Sequence, residues 1–214
     1  MPDSRARARA GSQLPRPGHI WVYDFAATAA DVPAYSTLAG QASEGATPQI
    51  AEQIATGRQL GAEIGSQLVE QIRSMGLPAA RAVAGTTPQV NDIVIRGYLI
   101  SVNEGSAAER LAIGFGSGAS ELRTAVEGYQ MTAQGLRKLG SGTVDSGGGK
   151  TPGAALGVVG LVATGNPAGL IVSTGMKVYG EASGSSKVEG RAKQTAKEIA
   201  DVLKQRFEQE GWIN

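Results

Sequence analysis

Three segments carry residue types and spacings that chemistry could use. The first is Ser146-Gly147-Gly148-Gly149-Lys150-Thr151. A glycine-rich loop closing on Gly-Lys-Thr before a helix lets backbone amides and one lysine cradle the phosphates of a nucleotide. That pattern also needs a glycine five positions before Gly149, where the chain has Val144. Pro152-Gly153 then opens a glycine-rich run instead of a regular helix, so a linker in which Thr151 caps Pro152 explains the fragment better. The second segment is Gly114-Phe115-Gly116-Ser117-Gly118. A dinucleotide fingerprint places a third glycine at position 119 and opens a helix; position 119 is Ala and the cluster precedes a strand pattern. It reads as a glycine-rich turn with Phe115 packed inward. With Arg110 upstream, the residues Gly114, Phe115, Gly116 and Gly118 form a candidate ligand or contact turn, because loops held by a rigid scaffold often bind.

The third segment, residues 151–176, has no charged residue and exceeds the length that flags a membrane span. Asn166-Pro167 divides it into halves too short to cross a bilayer as single helices. Gly153 and Gly157, then Gly165 and Gly169, recur at the four-residue step that lets helices pack closely. An internal helical hairpin on the domain, a self-association surface and a membrane-contacting hairpin all fit this pattern. Packed core is the reading preferred, since uncharged stretches of such proteins mostly lie inside.

Isolated residues add little. His19 is the one histidine and has no second ligand for zinc. The chain has no cysteine, which excludes disulfides, thiolate metal sites and cysteine nucleophiles. Asp24 sits in an apolar run; if buried it needs a partner such as Arg96, and solvation at a strand end is the more ordinary expectation. No catalytic constellation, cofactor site or metal site emerges. A net charge of +1 with no basic stripe interleaved with aromatics argues against nucleic acid.

These segments hang on a legible framework. Aromatics make up 5% of the 214 residues and glycines number 31, so small residues must do much of the packing, with backbones in close approach. Residues 1–18, rich in Arg and Pro and without periodicity, read as a disordered arm. Residues 19–25, His-Ile-Trp-Val-Tyr-Asp-Phe, read as a continuous buried first strand. Thr47-Pro48 supplies a helix start. Ile54, Gly57, Gly61, Ile64, Leu68, Ile72 and Met75 then mark one helical face, and Gly76-Leu77-Pro78 stops it. The glycines on that face cost about 1 kcal/mol each against Ala, which makes sense where another backbone packs against them. Residues 78–84 and 91–103 read as strands and 106–113 as a turn or two of helix. Residues 121–131 read as a half-exposed strand with Glu127 on its outer side, turning at Ala133-Gln134-Gly135 into a return strand. Residues 187–210 form an amphipathic helix ended by Gly211, with Trp212 folding back. The fold class expected is α/β of the α+β kind. A mixed sheet in the order β-α-β-β-β-β-α carries long helices mainly on one face, plus an apolar Gly/Ala-rich helical insert over 151–186, all in one domain over 19–214.

The strand Val22-Tyr23-Asp24-Phe25, the long helix after it, the strand Ile95-Arg96-Gly97-Tyr98 and the stretch from Gly105 to Gly118 resemble the bacterial family DUF4410. The most specific part is an Arg followed within eight residues by Gly-Phe-Gly-x-Gly and a strand. The similarity runs from about Ile20 to Trp212. It implies an envelope lipoprotein, exposed to the periplasm or at the outer membrane. The implied role is binding or assembly with other proteins, homo-oligomers included, and not catalysis. The chain departs from that picture in two ways: it shows neither the apolar stretch of a secretory signal over residues 1–10 nor a lipobox cysteine, and an unusually long apolar Gly/Ala insert precedes its last helix.

Overall fold

The computed structural model describes residues 13–37, 39, 50–103, 110–113, 121–146 and 185–214. The described chain runs β1 (Ile20–Val22), α1 (Ala51–Ser74), β2 (Ala79–Arg81), β3 (Ile93–Asn103), β4 (Arg110–Ile113), β5 (Glu121–Thr132), β6 (Gly135–Ser146) and α2 (Ser185–Gln209). One mixed sheet has the order β2-β1-β3-β5-β6, with β4 paired to β3 beyond the end of β1. β1 lies parallel to both β2 and β3, while β3, β5 and β6 form an antiparallel meander. This is the α+β class expected, in the expected order with one strand added. That strand is a correction: residues 110–113, read as helical, pair with residues 100–103. Their β-branched and apolar residues complete a ladder that a short helix could not.

Both helices pack on one face of the sheet. Leu60, Ile64, Leu68 and Ile72 of α1 meet Ile199, Leu203 and Phe207 of α2 over Ile20, Val22, Ile93, Ile95, Leu99 and Val126. Burying side chains of this size contributes about 1.5–3 kcal/mol each. α1 starts three residues later than Thr47-Pro48 suggests. Ile50 is its extended N-cap, and the Gln53 side chain reaches back to accept from the Ile50 N–H at 3.1 Å. Gly76, at φ 82°, ends the helix as expected.

The first strand is shorter than its apolar run. Tyr23 N donates to Ile95 O and Ala26 N to Gly97 O, at 3.1 and 2.8 Å, so the chain stays beside β3. Between them Asp24 and Phe25 bulge toward the helices. Phe25 N donates at 3.1 Å to the Gly61 carbonyl of α1, not to the sheet. A Cβ at Gly61 would run into the Phe25 carbonyl, and one at Gly97 into the Phe25 ring. The backbone that the helix glycines accommodate is therefore residues 23–25.

The arm expected to be disordered is anchored from Gln13 onward. Leu14 N donates to the buried Glu210 carboxylate at 2.7 Å, and Trp212 Nε1 to Leu14 O at 2.9 Å. Trp212 stacks on Phe207 with ring centroids 5.3 Å apart. These contacts give the arm buried partners that its composition does not reveal.

Two glycine substitutions separate packing from propensity. Gly61→Ala should lower stability by about 2 kcal/mol or more, because the clash with backbone outweighs the propensity gain. Gly190→Ala, at an exposed position of α2 with nothing near its Cβ, should raise stability by about 0.5–1 kcal/mol. Thermal melts should show the two shifts with opposite signs. A Gly61→Ala protein melting above the parent would refute the close approach.

Candidate functional site

After Ala26 the chain leaves the edge of β3 and crosses the sheet face that carries no helix. A 3-10 turn at Ala29–Asp31 leads this strap, and Val32 packs on a second apolar cluster of Ala26, Tyr98, Ile100 and Ala125. Arg58 of α1 holds the strap through Asp31 at 3.0 Å.

Strand alternation sets what the strap meets. β5 places Ala125, Glu127 and Tyr129 on this face and Val126 on the helix face. The β3–β5 register sets Arg96 opposite Glu127 and Tyr98 opposite Ala125. The β5–β6 register sets Lys138 opposite Tyr129, and a bulge there leaves Leu139 without a partner. Leu139 turns to the helix-face core while Lys138 stays under the strap.

The centre of the arrangement is Glu127, whose side chain is 1% exposed. Its Oε2 accepts from Ser36 Oγ at 2.8 Å, Tyr98 OH at 2.9 Å and Tyr129 OH at 2.7 Å. Its Oε1 accepts from Thr37 Oγ1 and Lys138 Nζ, both at 2.7 Å. Burial works to raise the carboxyl. The hydrogen bonds from Lys138, Thr37, Tyr129 and Ser36 outweigh it and hold the group at about 2. Burial, with the adjacent carboxylate, pushes the Tyr129 hydroxyl up. The Tyr98 hydroxyl is pushed up too, chiefly by burial. A carboxylate with its lone pairs occupied and its proton lost far below neutrality is a poor general base, and tyrosines so raised are poor acids. What the cluster does is fasten Ser36 and Thr37 of the strap to β5 and β6.

Beside it, the Arg96 guanidinium lies over the Tyr23 ring at 3.6 Å and 5.5 Å from the Tyr35 ring. Tyr35 in turn meets Tyr129 edge-on at 5.5 Å. Asp24 is half-exposed and pairs with Arg81, not Arg96, so solvation at a strand end is what holds. His19 stacks on Trp21; its backbone N–H and the Trp21 indole both donate to the buried Asp92 at 2.9 Å.

Among the residues singled out from sequence, Arg110 is placed in β4 opposite Asn103. Gly114, Phe115, Gly116 and Gly118, the glycines Gly153, Gly157, Gly165 and Gly169, and the loop at 147–151 lie outside the described residues. The expectation that Glu127 faces solvent is corrected: the strap covers it. The signal was present in Ala125-x-Glu127-x-Tyr129, where both neighbours on the same face are residues that favour burial. Nothing local links Ser36, Thr37 or Lys138 to it, since they lie 91, 90 and 11 positions away.

Among the described residues no group of three or more His, Asp or Glu is placed to hold a metal ion. No helix among them is long and apolar enough to cross a membrane. A hollow between β6 and α2, bordered by Val126, Val144, Ile199 and Leu203, measures about 10 Å³, room for no more than a water.

The cluster sets an acid limit on stability. Glu127 is held below its ordinary value of 4.5, so its contribution, about 3 kcal/mol, is complete above pH 4.5 and fades as the pH falls toward 2. Glu127→Gln should cost about 3 kcal/mol at pH 7 by leaving Lys138 unpaired, and the gap to the parent should narrow below pH 4. Denaturant titrations from pH 7 to pH 2 would read this. Parallel curves for the two proteins would rule out the pairing.

No curated protein and no solved structure matches the chain. The family model described as a domain of unknown function, DUF4410, matches residues 20–165, which take in the sheet, α1, the strap and the whole Glu127 cluster. The chain therefore belongs to the DUF4410 family.

Proposed function

We propose that this chain is a non-catalytic accessory or assembly protein of the bacterial cell envelope, periplasmic or at the outer membrane, that works through contacts with other proteins, itself included. The observation that carries this reading is how Glu127 is used. The most fully buried carboxylate under the strap is committed to five donors and holds a loop down. What reaches the surface beside it is aromatic and cationic, with Tyr35 46% exposed. Tyrosine and arginine are the residues on which protein contacts concentrate their energy. The envelope location is supported by the family resemblance. Self-association is supported by the four-residue glycine spacing at Gly153, Gly157, Gly165 and Gly169.

Light scattering on a sizing column, with and without mild detergent, tests the association. A discrete oligomer independent of detergent is expected, reduced to monomer by Gly157→Asp with Gly169→Asp. A monomer at every concentration would overturn self-association, and recovery of the native protein wholly in the cytosolic fraction would overturn the envelope assignment.

A further inference from the structure

Arg96 and Glu127 are cross-strand neighbours of opposite charge, yet they form no ion pair. Glu127 turns to Lys138 and the strap hydroxyls. Arg96 is left with its guanidinium flat on Tyr23. Its Nε is buried without an acceptor, its one side-chain hydrogen-bonding neighbour among the described residues is the Tyr35 hydroxyl, and no described carboxylate pairs with it. A buried donor left unmet costs about 1–3 kcal/mol, and more for a charged group. The residue as a whole is partly exposed and Tyr35 beside it is 46% exposed, which places the stacked group at the protein surface.

We propose that Tyr23, Arg96 and Tyr35 form a carboxylate-binding site, which takes an acidic side chain or a terminal carboxylate of a partner protein. The partner class rests on the protein-contact reading above; the anion chemistry stands on the site itself. A guanidinium presents a planar fork that matches a carboxylate with two parallel hydrogen bonds. Stacking on Tyr23 fixes the plane of that fork before binding, which lowers the ordering cost. The charge balance selects the anion. Arg96 supplies one positive charge, and the cation of the adjoining cluster, Lys138, is already neutralised by Glu127 at 2.7 Å. A singly charged carboxylate matches that surplus. A phosphate dianion would lack a second cation and would feel the Glu127 carboxylate across the strand pair.

The test is a ¹⁵N-detected titration of the arginine Nε–Hε resonances of the full chain with a blocked tri-glutamate peptide. Its tri-glutamine counterpart and inorganic phosphate serve as comparisons. The Arg96 resonance should move saturably with tri-glutamate and stay still with tri-glutamine. Binding should be lost in Arg96→Gln and weakened at least about tenfold in Arg96→Lys, which keeps the charge and loses the fork. Tyr35→Ala, at an exposed position, carries the same test should Arg96→Gln fail to fold; it should weaken binding several-fold. An Arg96 resonance unmoved by millimolar tri-glutamate, or moved equally by tri-glutamine, would overturn the site. Saturation by phosphate at lower concentration than by peptide would overturn the choice of carboxylate. Column mass and cell fractionation do not read Arg96. An envelope oligomer with a silent Arg96 therefore sinks only this site, and a cytosolic monomer that binds the peptide sinks only the earlier reading.

Discussion

The contact on which the architecture turns is the passage of Phe25 between two glycines. The Phe25 N–H leaves the sheet and donates to the Gly61 carbonyl on α1, while its ring rests on Gly97 of β3. Both neighbours must lack a Cβ for the backbone of the first crossing to lie between helix and sheet. Few large side chains are available in a chain with 5% aromatics. One phenylalanine lodged between two bare backbones, its carbonyl against Gly61 and its ring against Gly97, supplies close packing that would otherwise need several side chains. The helix propensity lost at Gly61 is small beside the dispersion contacts and the additional hydrogen bond that the close approach permits.

That bulge also decides what happens on the opposite face. Because Ala26 returns to β3 after Phe25 has turned away, the chain is set down beside Tyr98 and continues across the face without helices. An irregular segment on a sheet needs its polar backbone and side chains met. The protein answers the same way three times, with a buried carboxylate as the tether. Glu127 holds Ser36 and Thr37, Asp92 holds the backbone N–H groups of His19 and Gln89, and Glu210 holds that of Leu14. Each carboxylate is on or next to a regular element and each partner lies in a loop or arm. Charged acceptors make stronger hydrogen bonds than neutral ones, which suits fixing segments with little apolar surface of their own.

The sequence made the regular elements legible and left the tethers hidden, for one physical reason. Period-3.6 and period-2 patterns are local, so α1, α2 and the β5–β6 hairpin could be read directly. The demand that a backbone lie against Gly61 and Gly65 is legible too, although not which backbone it is. The first strand is shorter than its apolar run because Tyr23-Asp24-Phe25 keeps a strand's composition while Phe25 donates its N–H to the helix. The short strand at 110–113 depends for its pairing on β3, not on its own pattern, so the local sequence reads as helical. The charge of Glu127 suggests exposure, and the residues that reverse that preference come from distant strands and the strap. The glycine clusters at 114–118 and 147–151 lie outside the described residues, whereas Arg96 and Tyr23 sit within strand patterns that carry no local sign of a site.

Why one carboxylate faces two cations, and why it chooses Lys138, follows from the chemistry of the two cations. Lysine carries a compact, strongly hydrated charge, and burying part of it beside Glu127 without an anion would be costly. Arginine is more weakly hydrated and can lay its charge over an aromatic ring, which is worth about 0.5–2 kcal/mol. Lys138, 21% exposed and pointing under the strap, therefore takes the carboxylate and the Thr37 hydroxyl. Arg96 takes the ring of Tyr23. The result is a neutral, saturated interior cluster with a single uncompensated guanidinium at its margin. The strap fixes both halves at once. Ser36 and Thr37 close the carboxylate, and Tyr35, the residue just before them, stands beside Arg96. The loop that seals the buried carboxylate thus also frames the guanidinium at its margin.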